Sequence, residues 1–268
     1  MKVAISGLGL IGGSFYKASL AAGYDAIGLH HGECEGLDQA ELVLVCQPPE
    51  AIAAWVEEHV SRFRPGAVVV DVCGVKRSVM RDVGALLGKL SAAGERPNFT
   101  FVGGHPMAGR EVSGYENSSA ELFRGASMIL TPFVNADQAV IDGLVKYFAA
   151  IGFGETVITT PEKHDAMIAF TSQLCHVIAT TYASDAKVAE TRGFTAGSYA
   201  NMTRIATQDA SVWRQLYSEN RDELVGVLDD FMKRFKTLRD AIQQDDASTV
   251  ERLITQGAEA KRRELARR

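Results

Sequence analysis

The feature that most restricts this chain is Gly7-Leu8-Gly9-Leu10-Ile11-Gly12, which follows the apolar run Val3 to Ser6 and opens the helical stretch Leu10 to Ala22. By itself a G-x-G-x-x-G spacing is weak. Between a strand and a helix it is strong, because the glycines allow a tight turn and let the main chain approach a pyrophosphate at the helix N-terminus. Gly7, Gly9, Leu10, Ile11 and Gly12 are therefore candidate cofactor-binding residues. The alternative is a glycine-rich turn without a ligand. The glycines also break any sustained apolar stretch that could make Met1 to Ala22 a secretion signal.

Further runs at Ala26–Leu29, Leu42–Cys46, Ala67–Asp71, Phe99–Val102 and Ser127–Leu130 are apolar almost throughout, as strands buried on both faces of a parallel sheet must be. Helical stretches at Pro49–Phe63, Val75–Leu90 and Ala136–Ala149 lie between several of them. Strand–helix alternation predicts an α/β fold with a doubly wound, Rossmann-like parallel sheet over residues 1–155. After Phe153–Ile158 the strand-like runs stop, and no proline follows Pro161. Trp213, Leu216, Tyr217, Leu224, Leu228, Phe231, Phe235, Leu238 and Ile242 recur at helical spacing and predict one long amphipathic helix. An all-helical C-terminal domain over 156–268 is expected, with an apolar stripe broad enough to pack against a second copy as a homodimer.

The second strand should end in an acid that holds the adenosine ribose, but it ends Gly28-Leu29-His30-His31, and Glu33 and Glu35 follow too late in the count. His30, with His31, either faces a 2′-phosphate, as NADP would require, or sits in a solvent-exposed loop; NAD and NADP both stay open. Only about a dozen residues then lead to Leu42, near the minimum for a crossover with its own helix. The sheet is thus expected to be shortened there, lacking a helix and an edge strand.

Composition narrows the function. Among 268 residues, 28 Lys and Arg stand against 33 Asp and Glu, net −5, so no overall field favours nucleic acid. The basic cluster Lys261-Arg262-Arg263 with Arg267 and Arg268 is read as a solvated helix end. Cys34, Cys46, Cys73 and Cys175 form no C-x-x-C pair, and His30, His31 and Cys34 lack a fourth ligand at zinc-like spacing. No metal is expected, and a reducing cytoplasm is. No apolar run is long enough to span a membrane.

Two segments fall at later strand ends, where open α/β sheets place their ligands. One is Asp71-Val72-Cys73-Gly74-Val75-Lys76; the other is Gly103-Gly104-His105-Pro106-Met107-Ala108-Gly109-Arg110-Glu111. His105, between paired glycines and a proline, is well placed for proton transfer, or only hydrogen-bonds a loop.

These blocks resemble the prephenate/arogenate dehydrogenase family of tyrosine biosynthesis, from the first glycine motif to about Asn220. His-Pro-Met-Ala-Gly is the most specific part. The resemblance implies an NAD- or NADP-dependent oxidative decarboxylation of a small-molecule substrate, in a monofunctional form without chorismate mutase or ACT segments. It implies that His105 is the base for the ring hydroxyl. His164-Asp165 and Ser172-Gln173-Leu174-Cys175-His176 resemble the family's helical motifs; the resemblance puts His176 near the substrate side chain, as a catalytic candidate beside His105 and a substrate-binding one, the alternative being a packing histidine. His164 and His176 fall about 120° apart on one helix. Asn201 to Ala206 resembles the segment whose arginine binds substrate, so Arg204 would hold a carboxylate, the alternative being a surface ion pair with Asp209 or Glu219. Trp213 is read as a wall or core residue.

Three departures stand out. Cys73-Gly74 replaces the family's Gly-Ser, leaving Cys73 or a water beside the histidine. Gln173-Leu174-Cys175 replaces His-Leu-Pro. Arg110 stands where many members carry a small polar residue, which adds a substrate-binding candidate. Cys73 and Gly74 also count among the residues lining the cofactor. The rival readings are a two-domain NAD(P)-dependent dehydrogenase of the hydroxyacid type and a nucleotide-binding protein without catalysis.

Overall fold

The computed structural model describes residues 1–30 and 32–267; His31 and Arg268 lie outside the described residues. Seven strands form one sheet: β1 (Lys2–Ser6), β2 (Asp25–Leu29), β3 (Leu42–Val45), β4 (Ala67–Asp71), β5 (Phe99–Pro106), β6 (Ser127–Pro132) and β7 (Glu155–Ile158), in the order β2-β1-β3-β4-β5-β6-β7. Strand order reverses beside β1, so the crevice for a ligand opens at the end of that strand. The helices of this half are α1 (Leu10–Ala21), α2 (Ile52–His59), α3 (Arg77–Ala92) and α4 (Gln138–Ala150).

Side chains alternate between two cores because a strand's period is two. Val3, Ile5, Leu42 and Leu44 face a core with Phe15, Phe123, Leu144 and Phe148. Ala4, Val43, Val45 and Val69 face another with Ile52, Val56, Val79 and Val83. Among the described residues, the crossover from β2 to β3 contains a single 3₁₀ turn, Leu37–Gln39, and β2 is the sheet edge. The shortened nucleotide half read from the sequence is therefore present.

Two strand expectations change. The pairing of β5 with β6 is antiparallel, Gly104 standing opposite Leu130. Residues 107–126 contain just one 3₁₀ turn, Tyr115–Asn117, instead of a crossover helix, so the chain returns to the sheet at the end it left. In addition, β5 continues through Gly103, Gly104 and His105 to Pro106, so His105 stands on the strand rather than in the loop after it.

Beyond β7 the chain is helical: α5 (Pro161–Ile168), α6 (Leu174–Ala183), α7 (Gly197–Thr203), α8 (Ala210–Glu219), α9 (Arg221–Gln243) and α10 (Ala247–Leu265). The single helix expected from Trp213 to Ile242 is two helices. Asn220 leaves helical geometry at φ −114°, ψ 24°, and its buried side chain donates to Asp165 O (2.9 Å) and Gln173 Oε1 (2.8 Å). Apolar periodicity runs through the break because it does not register one polar residue turned inward. Residues Met1–Arg221 form one compact unit and Asp222–Arg268 a second. In the second, α9 and α10 are joined through Asp245 at φ 53°, and Met232, Phe235, Ile242 and Ile254 are exposed. Among the described residues, no helix is long and apolar enough to cross a membrane.

Candidate active site

The glycine turn is built by main-chain approach. Gly7 has φ +90° and donates its N–H to Leu29 O (3.0 Å), and a Cβ there would overlap the carbonyl oxygen of Cys46. A Cβ on Gly12 would overlap the carbonyl of Gly7, so that glycine is needed for packing. Gly9 differs: a Cβ there would meet nothing within 4 Å. Gly9 is the N-cap of α1, no side chain caps the helix, and its first turn carries no acid. Leu10 is buried and Ile11 half-buried behind this end. Open space in front of uncapped N–H groups and a positive helix end suits a pyrophosphate. His30 follows β2 with its side chain exposed.

The second cluster lies where β4, β5, α3 and α5 meet, all within residues 1–221. Asp71, at the end of β4, is fully buried and forms an ion pair with the fully buried Lys76. Its Oδ2 also accepts from Cys73 N (3.0 Å) and its Oδ1 from Gly104 N (3.3 Å), which ties the turn after β4 to β5. The Cys73 thiol donates to Gln47 O (3.1 Å), and burial, then Asp71, pushes its pKa up. Cys73 is thus engaged elsewhere and does not stand in for the hydroxyl missing at Gly74. A Cβ on Gly74 would lie 3.3 Å from Leu216 Cδ2 and 3.8 Å from His105 Nε2, so glycine leaves space beside that nitrogen.

Asp165 sets the order of the protons. Its two oxygens accept from Lys76 N (2.8 Å) and Arg77 N (2.9 Å) at the start of α3, a helix with no side-chain cap of its own. Asp165 thus caps that helix from another element, its carboxylate accepting two main-chain N–H groups at the positive end of the helix dipole. Oδ1 also meets His164 Nδ1 at 2.6 Å, so that nitrogen carries the hydrogen. His164 Nε2 is then an acceptor in the neutral ring, and it lies 2.8 Å from His105 Nδ1. His105 must donate there, which leaves its Nε2 with a free lone pair next to Gly74. Burial, then His164 and Lys76, hold the His105 pKa well below the usual imidazole value. Burial also lowers that of His164, against its bond to Asp165.

The helix bearing these residues changes pitch. A π-turn, Ala169–Gln173, separates α5 from α6. Such turns recur at functional sites because they rotate the side chains that follow. Here the buried Gln173 donates to Leu216 O (3.1 Å) and accepts from Asn220. His164 and His176 consequently serve different places. His176 packs against Trp213 with ring centroids 3.6 Å apart and planes tilted by 32°, and its buried Nδ1 has no hydrogen-bond partner among the described residues. Burial lowers its pKa. Arg204 is exposed and its guanidinium is ion-paired with Glu111, in place of the Asp209 or Glu219 considered from the sequence. Asp209 instead caps α8 through Ser211 N (2.9 Å) and Val212 N (3.1 Å). Arg110, next to Glu111, is exposed.

The structure therefore joins His105 to His164 and Asp165, roles that sequence reasoning did not assign. The His-Asp dipeptide was the available signal. Lys76 and Asn220 gave none. Among the described residues, no group of three or more His, Cys, Asp or Glu could hold a metal.

A glycine turn suited to a dinucleotide, a sheet switching direction beside it, and a histidine near the end of β5 in the same sheet are the arrangement of an NAD(P)-dependent dehydrogenase. Residues 16–158 match the prephenate dehydrogenase nucleotide-binding domain and residues 160–256 the prephenate dehydrogenase dimerization domain. The chain belongs to the prephenate dehydrogenase family. A cyclohexadienyl dehydrogenase of Zymomonas mobilis is 31% identical, the match covering 91% of this chain and 89% of that protein. The fold is shared with an arogenate dehydrogenase of Synechocystis (TM-score 0.80, 22% identity, 98% and 99% of the two chains). It is shared too with the prephenate dehydrogenase of Aquifex aeolicus solved with hydroxyphenyl propionate and NAD+ (TM-score 0.80, 24% identity, 99% and 98%).

Proposed function

We propose that this chain catalyses the oxidative decarboxylation of prephenate or arogenate, with His105 as the base. The observation that carries the reading is the hydrogen-bond order Asp165, His164, His105, which turns a lone pair of His105 Nε2 toward the space beside Gly74. The ring hydroxyl donates to that nitrogen. A nicotinamide bound on the glycine turn would accept the hydride from the carbon bearing this hydroxyl. The bond to the ring carboxylate breaks, and its electron pair enters the ring as CO2 departs. Proton transfer to His105 assists while the carbon–oxygen bond gains carbonyl character, and the proton returns to the phenolic oxygen, so none is released overall. The charge His105 carries meanwhile is supported through His164 by Asp165.

Arg204 offers its planar fork to a substrate carboxylate, which would compete with Glu111 for it, and Arg110 adds charge nearby. His176 and Trp213 form a wall for the substrate side chain. Residues 1–155 then carry the nucleotide, and 156–268 supply substrate contacts and a homodimer interface. The exposed apolar residues of α9 and α10 and the family's dimerization domain support that pairing. The four unpaired cysteines fit the cytoplasm.

The test is nicotinamide reduction at 340 nm, with prephenate and arogenate each crossed with NAD and NADP. Turnover with either substrate supports the reading. Silence in all four combinations, from a protein that is folded by circular dichroism, overturns it.

A further inference from the structure

The end of β2 abuts the glycine turn, since Leu29 O accepts from Gly7 N (3.0 Å). In a sheet of this kind the adenosine ribose of a bound dinucleotide lies at that place. A carboxylate there reads a ribose 2′-hydroxyl, and an arginine reads a 2′-phosphate. Counted along the chain, position 30 is a histidine and the acid is missing.

The structure returns an acid to it. Gly32 turns the chain at φ +81°, Glu33 N donates to His30 O (3.1 Å), and Glu33 Oε2 accepts from His30 N (2.8 Å). The carboxylate of Glu33 is thereby fastened to the main chain of the residue directly after β2. Glu33 follows His30 by three residues, so it is the turn at Gly32, not the count along the chain, that returns its carboxylate to the strand end. The segment itself is acidic: residues 23–40 contain Asp25, Glu33, Glu35 and Asp38 and neither lysine nor arginine, and Lys2, which lines a cavity with Glu33 and Glu35, donates its ammonium to Gln39 Oε1 (2.8 Å). Arg62 lines the adjoining cavity, but against Glu33, Glu35 and Asp38 together. A 2′-phosphate would meet carboxylates, whereas a 2′-hydroxyl would find an acceptor.

We infer that Glu33 reads the adenosine ribose and makes this chain prefer NAD over NADP. The inference rests on the dinucleotide reading of the glycine turn, and binding separates the two. Isothermal titration calorimetry of the whole protein with NADH and NADPH should show NADH bound at least about tenfold more tightly. Glu33→Gln keeps an oxygen for His30 N–H but removes the charge. It should weaken NADH about tenfold, the scale of a charge-assisted hydrogen bond, and leave NADPH no weaker. Adding His30→Asp to Glu33→Gln should restore NADH binding. A wild-type preference for NADPH, an equal loss of both nucleotides in Glu33→Gln, or no change in either would overturn the assignment to Glu33 while leaving the dinucleotide site in place. If wild type binds neither nucleotide, the dinucleotide reading falls, and this inference with it.

Discussion

At the turn after β1 the decisive groups belong to the main chain: N–H groups at a helix end and glycines whose missing Cβ atoms leave room. Around His105 they are side chains, drawn from β4, β5, α3 and α5, with His105 and His164 separated by 59 positions. Six consecutive residues are enough to specify the first. The second exists only once the sheet and helices have packed. The two differ in tolerance as well, because a main-chain cradle fails when an atom is added, and a side-chain relay fails when one is removed.

The sharpest break of this comparison is His105→Asn. With its lone pair gone, kcat should fall by roughly 10²–10⁴ while the dissociation constant for NADH stays within about twofold, since the glycine turn is untouched. Unchanged turnover would remove His105 from the role of base. In the unaltered enzyme the sign of the pH effect follows from the lowered pKa of His105. The neutral base persists below the ordinary imidazole value of 6.5, so kcat/KM should stay level through pH 6.5 and fall only in more acid solution. Stability has the same direction. Above about 6.5 both histidines are neutral folded or unfolded, and below it the unfolded chain takes up protons first, so stability drops as the pH falls. A kcat/KM profile that breaks at or above pH 6.5 would contradict the buried relay.

Next in size is Lys76→Met. The Lys76–Asp71 pair is fully buried, and Asp71 also holds Cys73 N and Gly104 N. Removing one member of such a pair leaves a buried charge and costs about 3–5 kcal/mol. Urea unfolding should show that loss, and a change under about 1 kcal/mol would mean the pair is dispensable. This also shows why the relay escaped sequence reading. A lysine inside an amphipathic pattern reads as a solvated residue, and nothing local marks Lys76 as buried under its own helix start. His164-Asp165 was visible as a dipeptide, but its partner depends on how α5 crosses β5. Asn220 was read through as helix interior. The antiparallel β5–β6 pair was hidden for another reason: an apolar run carries no arrow, and only the missing helix in 107–126 betrays the reversal. The glycine turn, the strand–helix alternation and the short β2–β3 crossover were legible because each is local in sequence. Glu33 lies between these cases, near in sequence but misplaced by a count that ignored the turn at Gly32.

The glycines themselves give the third test. Gly7→Ala puts a Cβ against the carbonyl of Cys46 at φ +90°, and should cost about 1–3 kcal/mol or more of stability. Gly9→Ala meets nothing in the folded protein, so stability should hold within about 0.5 kcal/mol while NADH binding weakens. If both variants lose the same stability, Gly9 is a packing glycine and the open space before α1 is not a phosphate site.

The smallest expected effect on the fold belongs to Arg204→Gln, and its smallness is informative. The Arg204–Glu111 pair joins an arginine 63% exposed to a glutamate 33% exposed, and such pairs contribute at most about 1 kcal/mol because water screens them and two long side chains must be ordered. Substitution should therefore leave the urea midpoint nearly unchanged. If the guanidinium is instead kept for a substrate carboxylate, KM should rise about tenfold or more with a lesser change in kcat, the pattern of lost binding shared by ground and transition states. A stability loss above about 2 kcal/mol with KM unaltered would reverse that assignment and make Arg204 a structural partner of Glu111. The relay at His105 and the fork at Arg204 would then no longer belong to one substrate site, and the carboxylate would have to be sought at Arg110.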